Sequence, residues 1–586
     1  MNNKVKAILY LVIATAVLFC VPYSFNNMEP TQSVSYMVGF NNRIAFIILI
    51  VCSLVPLIWG VQKSGIIKID VFGKRPFHIE KVVYITLAFI LLILIGTGVL
   101  FSAKDFYGFV EDSYFLHYVY AVEHGAKLYD DVHFIYGPLC VYPVVLLNSI
   151  GITSSFSYYI ILAFFHSIGL LLVWYVLSKL SFSDKEARVL FVIIAVITFP
   201  YTMGLNDCIL RYSLAPSLFV FYVFNCQEKK AFVNTFLAIL FSFITLMYSP
   251  EIGLCYVTAS LFWLVLRVIV RKQFFFLYSI SGIVLLLILL FTLYPDYLSS
   301  IIQAGSGGAN FPFVPSLILV LLFLVVFTIS FLVGYQLPHY KDNIDALGIE
   351  LLLLSFVTAS VGRCDPHHVI LFCLFLIVIS YAVLIRIFSK KRIAVIFAIC
   401  LFTFFPYQGY IVGLYVKQVL KSNVEIVSEY AMSNYPGSGI IKMHLEKYIA
   451  QIGYTNNELD SICGSVSSIA IDNATYLYLL EKKDYLHTYF EHTPQWIGGK
   501  EGFDKEIESL NNADAEFLVL PSHYRERWLS SNDYHIINLL FFTYYPVKPY
   551  RYYNKDLYGD LLCYLENYYR EISHAKGVII LKKKYE

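Results

Sequence analysis

The sequence predicts an all-α polytopic membrane protein followed by a small mixed α/β domain. Of its 586 residues, 58% are hydrophobic and only 14% are charged, whereas a soluble domain carries about 25% charged residues. The mean hydropathy is +0.66. These values exclude a soluble globular protein, a disordered tail and a collagen-like fibre, and the net charge of +2 gives no reason to expect nucleic acid as a partner.

Apolar runs long enough to cross a bilayer recur from the N-terminus to about residue 415. The first run follows Lys4 and Lys6, but no small-residue cleavage site comes after it, so we interpret it as a membrane helix rather than a signal peptide. About thirteen spans are predicted in all. They cover residues 7–26, 43–62, 82–103, 157–179, 188–205, 212–227, 231–249, 253–270, 273–294, 314–336, 346–362, 368–388 and 393–415.

The distribution of Lys and Arg predicts the orientation of these spans. Cytoplasmic loops of membrane proteins carry an excess of positive residues. With the N-terminus in the cytoplasm, 20 of the 25 Lys and Arg residues in 1–416 lie on the cytoplasmic side. We therefore predict a protein of the cytoplasmic membrane, surrounded by membrane lipids, with its C-terminal domain outside the cytoplasm.

Residues 416–586 form the predicted extracytoplasmic domain, after a transmembrane domain over 1–415. The runs "SSIAI", "EFLVLP" and "GVIILKKK" favour strands, and "DKEIESLNNA" favours a helix. Cys463 and Cys563 either pair as a disulfide or remain as two free buried thiols. The sequence favours the free thiols.

Polar residues collect on the predicted outer face, at span ends and in short loops. They are Glu111, Asp112, Glu123, Asp130, Asp131, Asp207, Arg211, Glu251, Arg363, Asp365, His367 and His368. Transporters tend to carry ionisable residues near the bilayer midplane, where we find almost none. The pattern favours a site at the membrane–water boundary.

The first outer loop, residues 104–156, is the richest segment. Asp112 begins a predicted amphipathic helix that Gly125 ends. "LYDD" and "YGPL" follow as turns, and "PLCVYPVVLLNSI" is too short to span, so we expect it to form a helix on the outer surface.

This loop, with its pattern "G..LY.D....YGPL..YP", resembles the first outer loop of the GT-C glycosyltransferases. That superfamily includes the protein O-mannosyltransferases and the lipid A aminoarabinose transferases. The later segments "NDCILRYS", "YSPEIG" and "GRCDPHH" are similar to outer-loop patterns of bacterial membrane glycosyltransferases of this kind. Family members often have Asp-Glu at the loop start, where this chain has Glu111-Asp112, and the first two spans look like an addition.

The resemblance, over roughly residues 100–415, implies a GT-C-like fold and an inverting glycosyltransferase. Such an enzyme takes a sugar from a polyprenyl-phosphate carrier on the outer face and passes it to a lipid, polysaccharide or protein acceptor. It also implies that Asp112 is the base that deprotonates the acceptor hydroxyl. A helix N-cap is the structural alternative for Asp112, and Glu111 is its substitute. Asp130 and Asp131 either orient the acceptor or hold a metal, or they serve only as turn residues.

A second group of residues is predicted to contact the substrates. It comprises Arg363, Arg211, Asp207, Glu251, Asp365 and His368. Arginine offers a planar fork of donors that fits phosphate, although an interfacial arginine can also simply snorkel to headgroups. Glu251 is either a substrate contact or a charge at a helix N-terminus. Adjacent histidines are a weak metal signal, so no cofactor is assigned and a divalent metal stays open.

Two alternatives remain from the sequence. The first is a polysaccharide polymerase or ligase that uses diphosphate-linked glycans. Such enzymes depend more on arginine and histidine in a late outer loop, whereas the informative loop here is early and acidic. The second is a lipid-glycan flippase or transporter, for which ionisable residues inside the spans would be the sign.

Overall fold

The computed structural model describes most of the apolar part of the chain and parts of the C-terminal domain. The described residues are 3–25, 41–65, 71–73, 76–103, 112–123, 125–132, 134–152, 154–226, 230–305, 317–362, 366–402, 454–464, 468–470, 500–522, 524–525, 555–575, 577–584 and single positions between 405 and 416.

Seventeen helices are described in the apolar part of the chain. They are α1 (Asn3–Ser24), α2 (Asn42–Lys63), α3 (Lys81–Ala103), α4 (Asp112–Glu123), α5 (Tyr142–Ser149), α6 (Ser154–Lys179), α7 (Asp184–Ile197), α8 (Ile209–Asn225), α9 (Ala231–Tyr248), α10 (Pro250–Arg271), α11 (Phe276–Leu293), α12 (Pro295–Gly305), α13 (Leu317–Gln336), α14 (Tyr340–Gly362), α15 (Pro366–Phe372), α16 (Leu374–Ile387) and α17 (Lys390–Phe402). Short 3-10 helices cover Pro138–Cys140, Leu205–Asp207 and Leu337–His339.

Eight helical segments in the described part of the chain are long and apolar enough to cross a membrane. They are Arg43–Lys63, Lys81–Leu100, Phe156–Lys179, Leu205–Asn225, Ala231–Tyr248, Pro250–Arg271, Phe276–Leu293 and Val320–Ser360. The last segment contains both α13 and α14, and Ile8–Ser24 and Leu374–Ile387 are shorter apolar helices. A helical membrane protein is thereby supported, while the number of thirteen spans stays a prediction.

Exposed apolar faces support the same class. On α3, Phe89 and Leu92 are 62% and 72% exposed, and Tyr84 and Ile85 are exposed one turn earlier. Soluble proteins rarely expose apolar surface of this extent. Surfaces of this kind are stable when lipid tails cover them.

Two predicted spans differ from the structure. The span predicted at 188–205 is the 14-residue helix α7, which begins at a capping box of Ser183 and Glu186 and ends before Pro200. The span predicted at 368–388 is divided at Cys373 into α15 and α16. Hydropathy detects both apolar runs, but proline and local turn geometry decide where the helices stop.

Glycine allows α2 and α13 to touch. A Cβ atom on Gly334 would lie 1.9 Å from the carbonyl oxygen of Leu57, and one on Gly60 would lie 2.1 Å from that of Phe331. Small residues at the contact let membrane helices approach closely and pack well. Such packing matters in lipid, because burial of apolar surface contributes little to helix association there.

The loops gather at two ends of the helices. We call the end where α6, α8 and α10 begin the site end. At the opposite end, Arg188 lies 3.2 Å from Glu80, and Arg271 lies 3.4 Å from Asp345. Each of these two pairs joins residues that are predicted to lie in cytoplasmic loops.

The C-terminal domain contains a four-stranded sheet. Its described elements are α18 (Asn456–Cys463), β1 (Ser468–Ala470), α19 (Lys500–Ala513), β2 (Phe517–Pro521), α20 (Lys555–Tyr568), β3 (Tyr569–His574) and β4 (Val578–Lys583). The strand order is β1-β2-β4-β3, with β1 and β2 parallel and the other pairs antiparallel. The three predicted strands and the predicted helix are confirmed, and β3 was not predicted.

No disulfide joins Cys463 and Cys563. Cys463 is buried, as expected, whereas Cys563 is exposed.

Candidate functional site

Asp112 begins α4, as the sequence predicts, and its side chain is buried. The phenol of Tyr159 on α6 donates a hydrogen bond of 2.9 Å to Asp112 Oδ2. A buried carboxylate is stable only when donors surround it, because water no longer solvates it. Tyr159 is one such donor, and it fixes the carboxylate relative to α6.

The neighbouring residue on α6, Tyr158, fixes a second part of the site. Its hydroxyl donates to the carbonyl oxygen of Met203 at 2.8 Å and accepts from the amide of Leu205 at 3.1 Å. Consecutive residues on one helix thus hold both the first loop and the segment between α7 and α8. Phe115 on α4 packs against Tyr158, with ring centroids 6.3 Å apart.

The segment 198–208 lies inside the helix bundle rather than outside it. Helix α7 spans about 21 Å against about 39 Å for α6, so α7 ends near the middle of α6 and non-helical chain continues toward the site end. Phe199 packs on His166 in the middle of α6, with ring centroids 6.2 Å apart. Non-helical backbone at membrane depth is tolerated only when protein buries it or it lines a cavity. Thr202, Met203 and Leu205 are accordingly buried.

Asp207 and His367 form a buried pair across 160 residues of chain. Asp207 Oδ1 lies 2.9 Å from His367 Nε2, and the hydroxyl of Thr202 donates to Asp207 Oδ2. His367 is the second residue of α15. The ring of His368 lies 5.7 Å from that of His367 and stacks on Phe372.

Arg211 is bound on three sides by protein acceptors. Its Nε and Nη2 donate to Glu251 Oε1, with the Nε distance at 3.0 Å, and its Nη1 donates to the carbonyl oxygen of Asn206 at 3.1 Å. Ser249 accepts from Nε at 3.2 Å and donates to Glu251 at 2.6 Å. Glu251 follows Pro250 at the start of α10, where a negative charge interacts favourably with the helix dipole.

The guanidinium of Arg211 also lies over three aromatic rings. Its central carbon is 4.9 Å from the centroid of Tyr136 and 5.4 Å from those of Tyr212 and Phe372. Tyr136 comes from the first loop and Phe372 from α15. Cation–π contacts of this kind are strongest where water is excluded, so Arg211 joins the first loop to α8, α10 and α15.

Gly137 of the "YGPL" turn brings the first loop against α9. Its amide donates to the carbonyl oxygen of Tyr248 at 3.3 Å, and a Cβ atom at this position would lie 2.0 Å from the carbonyl oxygen of Met247. Three residues later, burial raises the pKa of the Cys140 thiol. Cys140 therefore remains a neutral packing residue next to the site.

Asp130 and Asp131 are exposed, and their contacts are those of a turn. Asp131 Oδ2 accepts from the amide of Lys127 at 2.8 Å, and Asp130 lies 3.6 Å from Lys127 Nζ. Tyr129, directly before Asp130, has a φ of 75° and donates to the carbonyl oxygen of Tyr136 at 2.6 Å. The bond from the Lys127 amide to Asp131 is the contact that the turn interpretation predicts for Asp131.

At the site end, Asp207 contacts His367 and Arg211 contacts Glu251. The adjacent residues Tyr159 and Tyr158 on α6 bind Asp112 and the segment that leads to Asp207, respectively. Glu111, Arg363 and Asp365 lie outside the described residues. Among the residues that the structure describes, no three His, Cys, Asp or Glu side chains are grouped closely enough to hold a metal ion.

No model of a known protein family matches the chain, and no curated protein matches it either.

Sequence reasoning missed the residues that hold the site in place: Tyr159, Tyr158, Thr202, Ser249 and Tyr136. Tyrosine and serine are frequent in membrane helices and loops, so nothing in their local sequence separates them from packing residues. Only Tyr136 had a signal, since it belongs to the "YGPL" turn.

Proposed function

We propose that the protein is a membrane glycosyltransferase that transfers a sugar from a polyprenyl-phosphate carrier to a lipid, glycan or protein acceptor. The loop resemblance to the GT-C superfamily suggests this reaction. The observation that carries the proposal is the buried Asp112 at the start of the loop helix. Its partner Tyr159 adjoins the residue that fixes the segment bearing Asp207 and Arg211.

The proposed reaction exchanges one bond at the anomeric carbon. The acceptor oxygen attacks this carbon, its proton passes to Asp112, and the bond from the carbon to the carrier phosphate breaks. Attack opposite the leaving phosphate inverts the configuration. A positioned carboxylate contributes about 10²–10⁴-fold to such a step. Because Asp112 is buried, the segments around it must open to admit the acceptor.

The departing phosphate needs positive charge or hydrogen-bond donors. Arg211 already donates through Nε, Nη1 and Nη2 to protein atoms. We therefore assign Arg211, with Glu251, to holding the loops together, and we assign the phosphate to Arg363 and His368. Asp207 orients His367, which directly precedes His368 on α15. Asp365 lies two residues after Arg363 in the sequence.

We place the site end outside the cytoplasm, in the cytoplasmic membrane. The predicted excess of Lys and Arg in the opposite loops supports this orientation. It also agrees with the proposed donor, because lipid-linked sugars serve as donors where nucleotide sugars are absent. The N-terminus is then cytoplasmic and the C-terminal domain extracytoplasmic.

A transfer assay with purified protein and a panel of polyprenyl-monophosphate sugars tests the proposal. We expect wild-type protein to turn over one of these donors and Asp112→Asn to lose 10²–10⁴-fold of the rate. Glu123→Gln, which changes an exposed carboxylate at the end of the same loop helix, is the matched control and should retain activity. Turnover of diphosphate-linked oligosaccharides alone would instead identify a polymerase or ligase.

One structural observation favours a second candidate, a lipid-glycan translocator. The sequence indicated almost no ionisable residues inside the spans, but His166 and Glu350 are fully buried within α6 and α14. Neither ring nitrogen of His166 has a hydrogen-bond partner among the described residues. Ionisable residues in this position often mark transport pathways. Movement of a carrier lipid across liposomes without sugar transfer would support this candidate.

A further inference from the structure

Glu350 and Gln336 form an isolated polar contact between α14 and α13. Glu350 is fully buried, and its Oε1 accepts a hydrogen bond of 2.7 Å from Gln336 Nε2. The second carboxyl oxygen of Glu350, Oε2, and the amide oxygen of Gln336, Oε1, are buried without a hydrogen-bond partner in the described part of the chain. Two orphan acceptors on one pair are costly in a membrane interior.

Among the residues that the structure describes, no cation forms an ion pair with Glu350. Helix α13 carries no charged residue. The Arg, Lys, His, Asp and Glu residues on the elements that pack most against α14 are Arg211 on α8, Glu251, Arg267 and Arg271 on α10, His339 in the 3-10 helix, His367 and His368 on α15, and Arg386 on α16. On α14 itself they are Lys341, Asp342 and Asp345.

The arginines in this set all bind other groups. Arg267 and Arg271 lie 3.5 and 3.4 Å from Asp345, and Arg211 binds Glu251. Arg386 donates to the backbone carbonyl oxygens of Ala382 and Ser181. His367 pairs with Asp207, and His339 is exposed. An ionised Glu350 would therefore be a buried charge with one neutral amide as its partner.

We propose that Glu350 is a proton-binding site, in which the protonated carboxyl and the Gln336 amide form a neutral cyclic pair. A proton on Glu350 Oε2 can be donated to Gln336 Oε1, while the Gln336 amide donates to Glu350 Oε1. One proton thus supplies the missing partner of both orphan oxygens. A neutral pair is also the form that burial favours, because an isolated charge in a low-dielectric interior is far more costly.

The protonated pair ties the end of α13 to the middle of α14. Only the 3-10 helix Leu337–His339 separates these helices in the chain, so we expect this contact to contribute to their relative orientation. Loss of the proton removes one of the two hydrogen bonds and leaves a buried carboxylate. The inference is independent of the proposed sugar transfer.

Infrared difference spectroscopy tests the proton directly. At neutral pH, the wild-type spectrum should contain the carbonyl stretch of a protonated carboxylic acid that Glu350→Gln lacks. The two spectra should also differ little in the carboxylate region. A lost carboxylate band with no change in the protonated-acid band would overturn the proposal.

A stability comparison on the same helix gives the second readout. Glu350→Gln replaces a neutral acid with an amide of the same shape and should leave the thermal midpoint unchanged in detergent. The matched control Asp345→Asn makes the same chemical change at an ion-paired position and should lower it. If Glu350→Gln is as destabilised as the control or fails to fold, Glu350 is ionised and the proposal is wrong.

Discussion

The phenol of Tyr159 and the carboxylate of Asp112 are joined by a buried hydrogen bond of 2.9 Å. Asp112 belongs to the first loop and Tyr159 to α6, so the bond sets the position of the loop helix on the bundle. Hydrogen bonds to an ionised acceptor are about twice as strong as neutral ones. Tyr159 is therefore a positioning residue for the proposed base.

Removal of this hydroxyl should affect activity more than folding. We expect Tyr159→Phe to reduce sugar transfer roughly tenfold, less than loss of the base itself, and to cost about 1–3 kcal/mol of stability. The acidic limb of the pH–rate profile should move to higher pH, because the ionised carboxylate loses a donor. Transfer rates and thermal unfolding measure both effects.

Tyr158→Phe is the control for this variant, since its hydroxyl donates to the carbonyl oxygen of Met203 and accepts from the amide of Leu205. It should lose stability without a change in the pH–rate profile. An unshifted profile in Tyr159→Phe would show that Tyr159 only packs.

Breaking the pair of Arg211 and Glu251 should destabilise the whole site end. Removing one partner of a buried pair typically costs about 3–5 kcal/mol, so Arg211→Ala should lower the thermal midpoint strongly. Lys127→Ala, which breaks the exposed pair with Asp130, should change stability by less than about 0.5 kcal/mol. Equal effects of the two variants would argue against the joining role of Arg211.

A methyl group at Gly137 should displace the first loop. The added Cβ would meet the carbonyl oxygen of Met247, which belongs to α9 and cannot move without that helix. We expect Gly137→Ala to raise protease cleavage in the first loop and to reduce activity. Gly96→Ala on α3, where the added atom has no neighbour within 4 Å, should match the wild type in both assays.

Acid should weaken the contact between α7 and α17. Burial disfavours the charge on Glu186, but hydrogen bonds from Lys390 and Ser183 outweigh this effect and lower its pKa from 4.5 to about 2. A lowered pKa in the folded state means that the contribution is present above pH 4.5 and is lost as the pH falls toward 2.

The stability difference between wild type and Glu186→Gln should therefore be constant at neutral pH and shrink below pH 4.5. Thermal unfolding over this range measures it. A difference that is the same at pH 3 and pH 7 would contradict the assignment.

Much of the fold could be predicted because it depends on local patterns. The apolar runs, helix α4 beginning at Asp112 and three strands of the C-terminal domain all follow from composition and periodicity. The prediction failed where short-range geometry overrides hydropathy, as at the end of α7. It also missed β3, because "YREISH" is polar and lies directly after a helix.

The sequence by itself determined that this chain belongs in a membrane, because the length of each apolar run can be read from the residues alone. It also determined which residues could carry chemistry, because the charged and polar side chains interrupt those runs. The tertiary structure decided which of those residues meet. Asp207 contacts His367, and Arg211 contacts Glu251, across long separations in the chain. Such contacts depend on how helices pack and where α7 stops, and no local pattern encodes the relative positions of distant helix ends.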